Sequence, residues 1–330
     1  MVRFGLLGCG RIGQVHARSI DRLPDAQLVA VSDAVPAAAE TLAGTYGADA
    51  RPTEAVIGSA DIDAVIIGTP TTTHFDLIHA AAAAGKAIFC EKPVDLASDR
   101  AAACKRAVEA AGVPFLCAFQ RRFDPHFASL ERQLRGGAIG RPELVILTSR
   151  DPSPPPISYI KQSGGLFRDM MIHDLDMARF LLPEEPQEVF ATGSCLVDPA
   201  IAAAGDIDTA AVTLRTASGQ ICMINNSRRA SYGYDQRIEV HGETGMLRAD
   251  NMRADLVEHA GDTGFRGAPT MHFFLERYEA AYLAEMAHFV GALQQGTAMA
   301  STIDDGLKAQ RLADAAAQSM ETGQPVRLRH

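Results

Sequence analysis

The segment Gly8-Cys9-Gly10-Arg11-Ile12-Gly13 follows directly on the apolar run Val2–Leu7 and opens a stretch of helical periodicity, which places it at a strand-to-helix turn. Its glycines keep the G-x-G-x-x-G spacing. The first permits a tight turn, the second lets the backbone approach a pyrophosphate, and the third lets helix pack on strand. The helix N-terminus adds N–H groups for phosphate oxygens. Alone the string is weak, because many glycine-rich turns satisfy it. Twenty residues after Gly13, however, a second apolar run ends in Ser32-Asp33, where a carboxylate suits the hydroxyls of an adenine ribose. Gly8, Gly10, Arg11, Ile12, Gly13 and Asp33 are therefore expected to bind a dinucleotide. Asp33 repels a 2'-phosphate and Ala34-Val35-Pro36 supply no arginine to attract one, so NAD is expected rather than NADP.

The first third continues in the same alternation. Strand-like runs at Gln27–Val31, Ala64–Ile67, Ala87–Cys90 and Phe115–Phe119 are separated by helical stretches at Pro36–Tyr46, His74–Ala84 and Ser98–Ala111, several ending at a glycine such as Gly47 or Gly112. That pattern predicts a doubly wound, parallel Rossmann sheet. After Gln120 the character changes. Runs at Glu143–Arg150, Glu188–Cys195, Thr209–Leu214, Ile221–Asn226 and Arg237–His241 follow one another with turn signals between the later ones. They predict an α+β domain on an open, mostly antiparallel sheet, closed by helices at Phe274–Leu293 and Thr302–Met320. The expected division is residues 1–120 for the cofactor and residues 121–330 for substrate binding and oligomerisation. A length of 330 residues accommodates two cores.

Net charge narrows the partners. Thirty-one Lys and Arg against 40 Asp and Glu give −9, a field that repels phosphate backbones and anionic lipid, so neither nucleic acid nor a membrane is an expected partner. The six cysteines form no C-x-x-C pair and read as free thiols in a reducing compartment. With no long apolar span and no charged-then-apolar leader after Met1, a soluble, cytoplasmic protein is expected.

Two further segments end strands of the parallel sheet. One is Gly68-Thr69-Pro70 with His74 beyond it; the other is Glu91-Lys92-Pro93. Ligands of open α/β sheets sit beyond the carboxyl ends of the strands, so Thr69, Pro70, His74, Glu91 and Lys92 are expected near the cofactor. In the second half, Asp169, His173 and Asp176 are spaced i, i+4 and i+7 and would share one face of a helix. A neutral imidazole flanked by carboxylates can take a hydroxyl proton as hydride leaves. The bland alternative is a solvated polar face, but Phe167, Met170, Met171, Ile172 and Met177 crowd the segment and argue for burial. Two acids and a histidine could also hold a divalent ion.

Taken together, G-C-G-R-I-G, G-T-P-T-T-T-H and C-E-K-P resemble the glucose-fructose oxidoreductase/inositol dehydrogenase (Gfo/Idh/MocA) family. Arg121-Arg122-Phe123-Asp124-Pro125, Gly164–Met170, Ile172–Asp176 and Tyr232-Gly233-Tyr234-Asp235 are similar to its inositol-oxidising branch, and the likeness spans essentially the whole chain. The resemblance implies NAD-dependent oxidation of the C2 hydroxyl of myo-inositol to 2-keto-myo-inositol (scyllo-inosose). Lys92 would bond the reacting oxygen, Asp169 and His173 would form the proton-accepting dyad, and Arg122, Asp176 and Tyr234 would line the polyol site. The Lys92 ammonium would then lie close to Asp169 and His173 and disfavour a second cation, so no metal is expected. The resemblance also implies a homotetramer. Alternatives are a dehydrogenase for another cyclitol or sugar (scyllo- or chiro-inositol, an aldose) or a non-catalytic NAD-binding regulatory protein. Residues 150–159 match no pattern and carry no expected substrate contact.

Overall fold

The structure is a computed structural model that describes residues 1–328. Its contacts divide the chain into two compact units. The first comprises Met1–Asp124 and Ala280–Arg311; the second comprises Pro125–Glu279 and the residues from Leu312 onward. This division differs from a single boundary near residue 120, because residues 280–311 return to the first unit.

In the first unit, β1 (Val2–Leu7), α1 (Arg11–Asp21), β2 (Ala26–Ser32), α2 (Pro36–Tyr46), β3 (Asp49–Ala50), α3 (Thr53–Gly58), β4 (Ala64–Ile67), α4 (His74–Ala83), β5 (Ala87–Glu91), α5 (Ser98–Ala111) and β6 (Phe115–Ala118) follow in sequence. The strands make a six-stranded sheet in the order β3-β2-β1-β4-β5-β6, every pair parallel. Strands covered on both faces must be apolar throughout, and β4 is wholly buried as Ala64-Val65-Ile66-Ile67. The chain winds outward from β1 through β2 to β3 and then restarts at β4 on the other side of β1. The carboxyl ends of β1 and β4 therefore meet at the switch point: Gly68 N–H donates to the Leu7 carbonyl at 2.8 Å, and Gly8 N–H to that of Ser32 at 2.8 Å.

The second unit begins with α6 (Pro125–Arg135), β7 (Pro142–Arg150), α7 (Ile157–Ser163), α8 (Leu166–Asp169), α9 (Ile172–Leu181), β8 (Pro186–Ser194), α10 (Pro199–Ala203), β9 (Thr209–Thr216), β10 (Ile221–Ser227), β11 (Asp235–Gly242) and β12 (Gly245–Ala249). A small hairpin, β13 (Glu258–Gly261) with β14 (Gly264–Gly267), precedes α11 (Phe274–Arg277), α12 (Glu279–Gln295), α13 (Ile303–Thr322) and β15 (Val326–Arg327). The large sheet runs β12-β11-β7-β10-β9-β8-β15 and is antiparallel except at β10 against β7. Alternation along β9 buries Ala210, Val212, Leu214 and Thr216 and exposes the residues between them.

Two helical expectations change. Phe274–Leu293 is not one helix: Tyr278 leaves helical geometry between α11 and α12, its ring buried against Phe127 and Tyr234 and its hydroxyl donating to Gln236 Oε1 at 3.2 Å. Nor do Asp169, His173 and Asp176 share one unbroken helix. Met171 N–H reaches back five residues to the Leu166 carbonyl, and the ladder restarts as Asp174 and Leu175 bond Met171. Asp169 thus closes α8 and His173 falls in the first turn of α9, although Met170 and Met171 keep right-handed helical backbone. The segment is as buried as its apolar residues predict.

Candidate active site

The glycine turn has the shape a pyrophosphate requires. Gly8 has φ +99°, and a Cβ there would lie 2.7 Å from the Gly68 backbone. A Cβ on Gly13 would fall 2.0 Å from the Gly8 carbonyl oxygen, whereas one on Gly10 would meet nothing within 4 Å. The outer two glycines are therefore packing requirements, and the middle one faces open space at the start of α1, where no side chain caps the helix. Asp33 is held from both sides: Cys9 N–H donates to Oδ2 at 2.7 Å and Val35 N–H to Oδ1 at 2.8 Å. Burial, with the Asp33 charge beside it, pushes the Cys9 thiol up to about 11, so it is a neutral thiol at ordinary pH. These residues fit a bound NAD: the Gly8–Gly13 turn with Arg11 and Ile12 would hold the pyrophosphate and Asp33 the adenine ribose. If Asp33 sets the choice, parallel kinetics give a higher kcat/KM with NAD than with NADP, and Asp33→Ala narrows the gap.

Beyond β4 and β5, His74 ties two loops together. Its ring is buried, with Nε2 3.0 Å from the Thr69 carbonyl oxygen and Nδ1 2.9 Å from that of Pro93, which follows Lys92 across a cis peptide bond. Burial lowers its pKa, so at neutral pH one nitrogen carries a proton and one carbonyl receives it. His74, expected as a cofactor contact, has each ring nitrogen beside a backbone carbonyl of the loops that carry Thr69, Pro70 and Lys92, and its single N–H bonds one of the two. Thr69 Oγ1 lies 2.7 Å from Thr73 Oγ1, which fixes the same turn.

Glu91, just ahead of Lys92, accepts from or pairs with His16 Nε2 at 2.8 Å; His16 is fully buried. Tyr282, Glu285 and Phe289 lie on one face of α12, and the flanking rings meet His16 and Phe89. Glu285 is completely buried, and among the described residues neither carboxyl oxygen has a hydrogen-bond partner. Burial first, and the charge of Glu91 second, push its pKa well above the ordinary value of 4.5. The folded protein then keeps a proton that the unfolded chain has lost, so this carboxyl costs stability as pH rises above 4.5. Glu285→Gln should melt at a higher temperature than the parent, with the gap widening as pH rises; a gap that closes with rising pH would contradict the assignment.

In the second unit the carboxylate of Asp169 is gripped at both oxygens. Tyr159 Oη donates to Oδ1 at 2.8 Å, and Arg228 Nη1 approaches Oδ2 at 3.4 Å. Asp176 is 1% exposed and faces Arg179 Nη1 at 3.6 Å, while Arg179 also binds Glu185 through two 2.7 Å contacts. Tyr234 is buried, edge-on to Tyr278 and near Phe273. Arg122 belongs to the first unit, where its guanidinium donates to the Ala300 carbonyl at 2.8 Å and to Asp305 at 3.1 Å. These three expected polyol contacts each have a structural partner in the protein. The sequence reading passed over Tyr159, Asp206, Arg228 and His16; the last three are signalled only by a partner far along the chain, and Tyr159, half exposed, lies in the 150–159 segment that matched no pattern. Among the described residues no group of three His, Cys, Asp or Glu side chains is arranged for a metal ion, and no helix is long and apolar enough to cross a membrane.

A Rossmann unit with this glycine turn and an acid after β2 is a dinucleotide-binding frame, and the family match makes the chain an NAD-dependent oxidoreductase. Residues 2–119 match the oxidoreductase family's NAD-binding Rossmann fold, and residues 131–328 its C-terminal alpha/beta domain. The chain belongs to the Gfo/Idh/MocA oxidoreductase family. It is 54% identical over 319 residues to an inositol 2-dehydrogenase of Rhizobium meliloti, covering 97% of both chains. Its fold matches a myo-inositol dehydrogenase from Corynebacterium glutamicum with TM-score 0.96 and 43% identity, over 100% of this chain and 99% of that one. It also matches a scyllo-inositol dehydrogenase from Lactobacillus casei, solved with NAD(H) and scyllo-inositol, with TM-score 0.92 and 30% identity over 99% of each chain.

Proposed function

We propose that this enzyme oxidises the C2 hydroxyl of myo-inositol to 2-keto-myo-inositol. The observation that carries the reading is the 54% identity to an inositol 2-dehydrogenase across 97% of both chains. NAD, when bound, supplies the hydride acceptor. Lys92 donates a charge-assisted hydrogen bond to the reacting oxygen and holds the substrate in place. His173 accepts the hydroxyl proton, and Asp169 orients the imidazole and stabilises its charged form. The grip of Tyr159 and Arg228 on Asp169 supports this role, since a carboxylate that orients another group must itself be fixed. Arg122, Asp176 and Tyr234 shape the polyol site through the elements they brace.

The specific alternative is scyllo-inositol, because the 30%-identical Lactobacillus casei structure holds that isomer. Hydroxyl stereochemistry is read by few contacts, so cyclitols discriminate poorly by size alone. Initial rates of NADH formation over myo-, scyllo- and chiro-inositol and a set of aldoses decide between them. The proposal requires the highest kcat/KM on myo-inositol.

The protein is proposed to work in the cytoplasm as a homotetramer. Phe190 and Met223, both exposed, flank Thr213 in register on the outer face of the large sheet. Light scattering should give a tetramer, and Met223→Glu should shift it toward smaller species; an unchanged mass would place the contact elsewhere.

A further inference from the structure

We infer that Arg228, lying between Asp169 and Asp206, is a positioning residue for the proton-accepting pair, acting with Tyr159 to aim the Asp169 carboxylate and compensate its charge. The inference rests on the proposed roles of Asp169 and His173. Arg228 follows β10 and is 1% exposed; its backbone N–H donates to the Asp208 carbonyl at 2.8 Å, which fixes the base of the side chain. Its two terminal nitrogens part company: Nη1 lies 3.4 Å from Asp169 Oδ2 and Nη2 3.4 Å from Asp206 Oδ2. A guanidinium so buried is expensive to desolvate, and a fold retains one only where carboxylates compensate it.

Asp206 has a second task. Its Oδ1 accepts the N–H of Leu166, the first residue of α8, at 3.0 Å. The backbone there passes so close that a Cβ on Gly165, at φ +86°, would sit 2.9 Å from the same oxygen. One carboxylate therefore holds the start of α8 directly and its last residue, Asp169, through Arg228. Tyr159 supplies the donor for the other Asp169 oxygen. Two neighbouring charges have partners of their own: Arg168 binds Asp314 at 2.8 Å, and Asp174 accepts from Asn226 at 3.0 Å.

Charge accounting gives the arrangement its function. Two carboxylates share one guanidinium, leaving one surplus negative charge; a proton arriving on His173 cancels it. Without the guanidinium the two carboxylates lose the cation that compensates both, so proton uptake in the pocket is favoured and Asp169 loses the contact that aims its Oδ2.

The test uses the intact enzyme with NAD and myo-inositol. Arg228→Gln should lower kcat by about 10- to 100-fold near neutral pH with NAD affinity nearly unchanged. The acid limb of its kcat profile should move to higher pH, so that alkaline buffer recovers part of the loss. Arg228→Lys, which keeps the charge, should recover more than Gln at neutral pH. An equal loss at every pH, or a loss that follows NAD affinity, would overturn the inference and make Arg228 structural only. If Arg228→Gln does not fold, Tyr159→Phe decides: a lowered kcat with a shifted acid limb supports the inference, and a wild-type profile overturns it. His173→Ala separates this from the parent reading: normal turnover in that variant removes the proton acceptor itself, whereas an inactive His173→Ala beside a normal Arg228→Gln removes only the positioning role.

Discussion

His173→Ala should lower turnover on myo-inositol by about 100- to 10,000-fold, the range over which a positioned general base contributes. NAD affinity should stay near that of the parent, because the residues that fit NAD lie in the first unit, around Gly8–Gly13 and Asp33. Asp169→Ala should show the same split with a smaller loss, since it acts through the imidazole. Oxidation by the parent enzyme should also slow in acid, because a protonated His173 accepts no further proton. Rates measured with saturating NAD, alongside titration of NADH fluorescence, separate chemistry from binding. Near-normal turnover in His173→Ala would end its assignment as the base.

Lys92→Ala should be nearly as damaging. The alkoxide that develops as hydride leaves is stabilised by a cationic donor only if the donor is already aimed at it, and removal of one such donor typically costs about 100- to 1,000-fold in kcat. The surroundings of Lys92 favour such aim: the buried His74 ring packs against the Pro93 carbonyl oxygen immediately after it, and His16 holds Glu91 immediately before it. Lys92→Arg should recover little, because a planar, longer guanidinium cannot take the position of a compact ammonium. Retained turnover in Lys92→Ala, with the same product, would show that the oxygen is stabilised by another group.

What could be read from the residues was local. Val2–Leu7, Ala64–Ile67, Pro36–Tyr46 and Ser98–Ala111 appear in the structure at the expected limits, because a largely buried parallel strand or a helix closed by a glycine, Gly47 or Gly112, announces itself within a few residues. The glycine turn and Asp33 were legible for the same reason. What escaped depends on distance along the chain. Arg228 stands 59 residues from Asp169, and no periodicity links them. The return of residues 280–311 to the first unit is likewise a matter of packing: Met286, Phe289 and Val290 of α12 join the core built by Phe4, Phe89 and Leu116. The break at Tyr278 arises because its side chain is committed to Gln236 and to the rings of Phe127 and Tyr234, a demand that helical propensity does not register. His74 shows the limit of motif reading: its place beyond the ends of β4 and β5 was visible, but the approach of its two ring nitrogens to backbone carbonyls of two different loops required three dimensions.

The central claim is the identity of the carbon that loses hydride, and the most direct measurement is product identification. The purified enzyme is incubated with NAD and myo-inositol, and the product is characterised by NMR after borohydride trapping in deuterated form. One deuterium is expected at C2, from 2-keto-myo-inositol, formed in step with NADH. Efficient oxidation of an aldose or a linear alcohol with myo-inositol inert, or deuterium at another ring carbon, would contradict it.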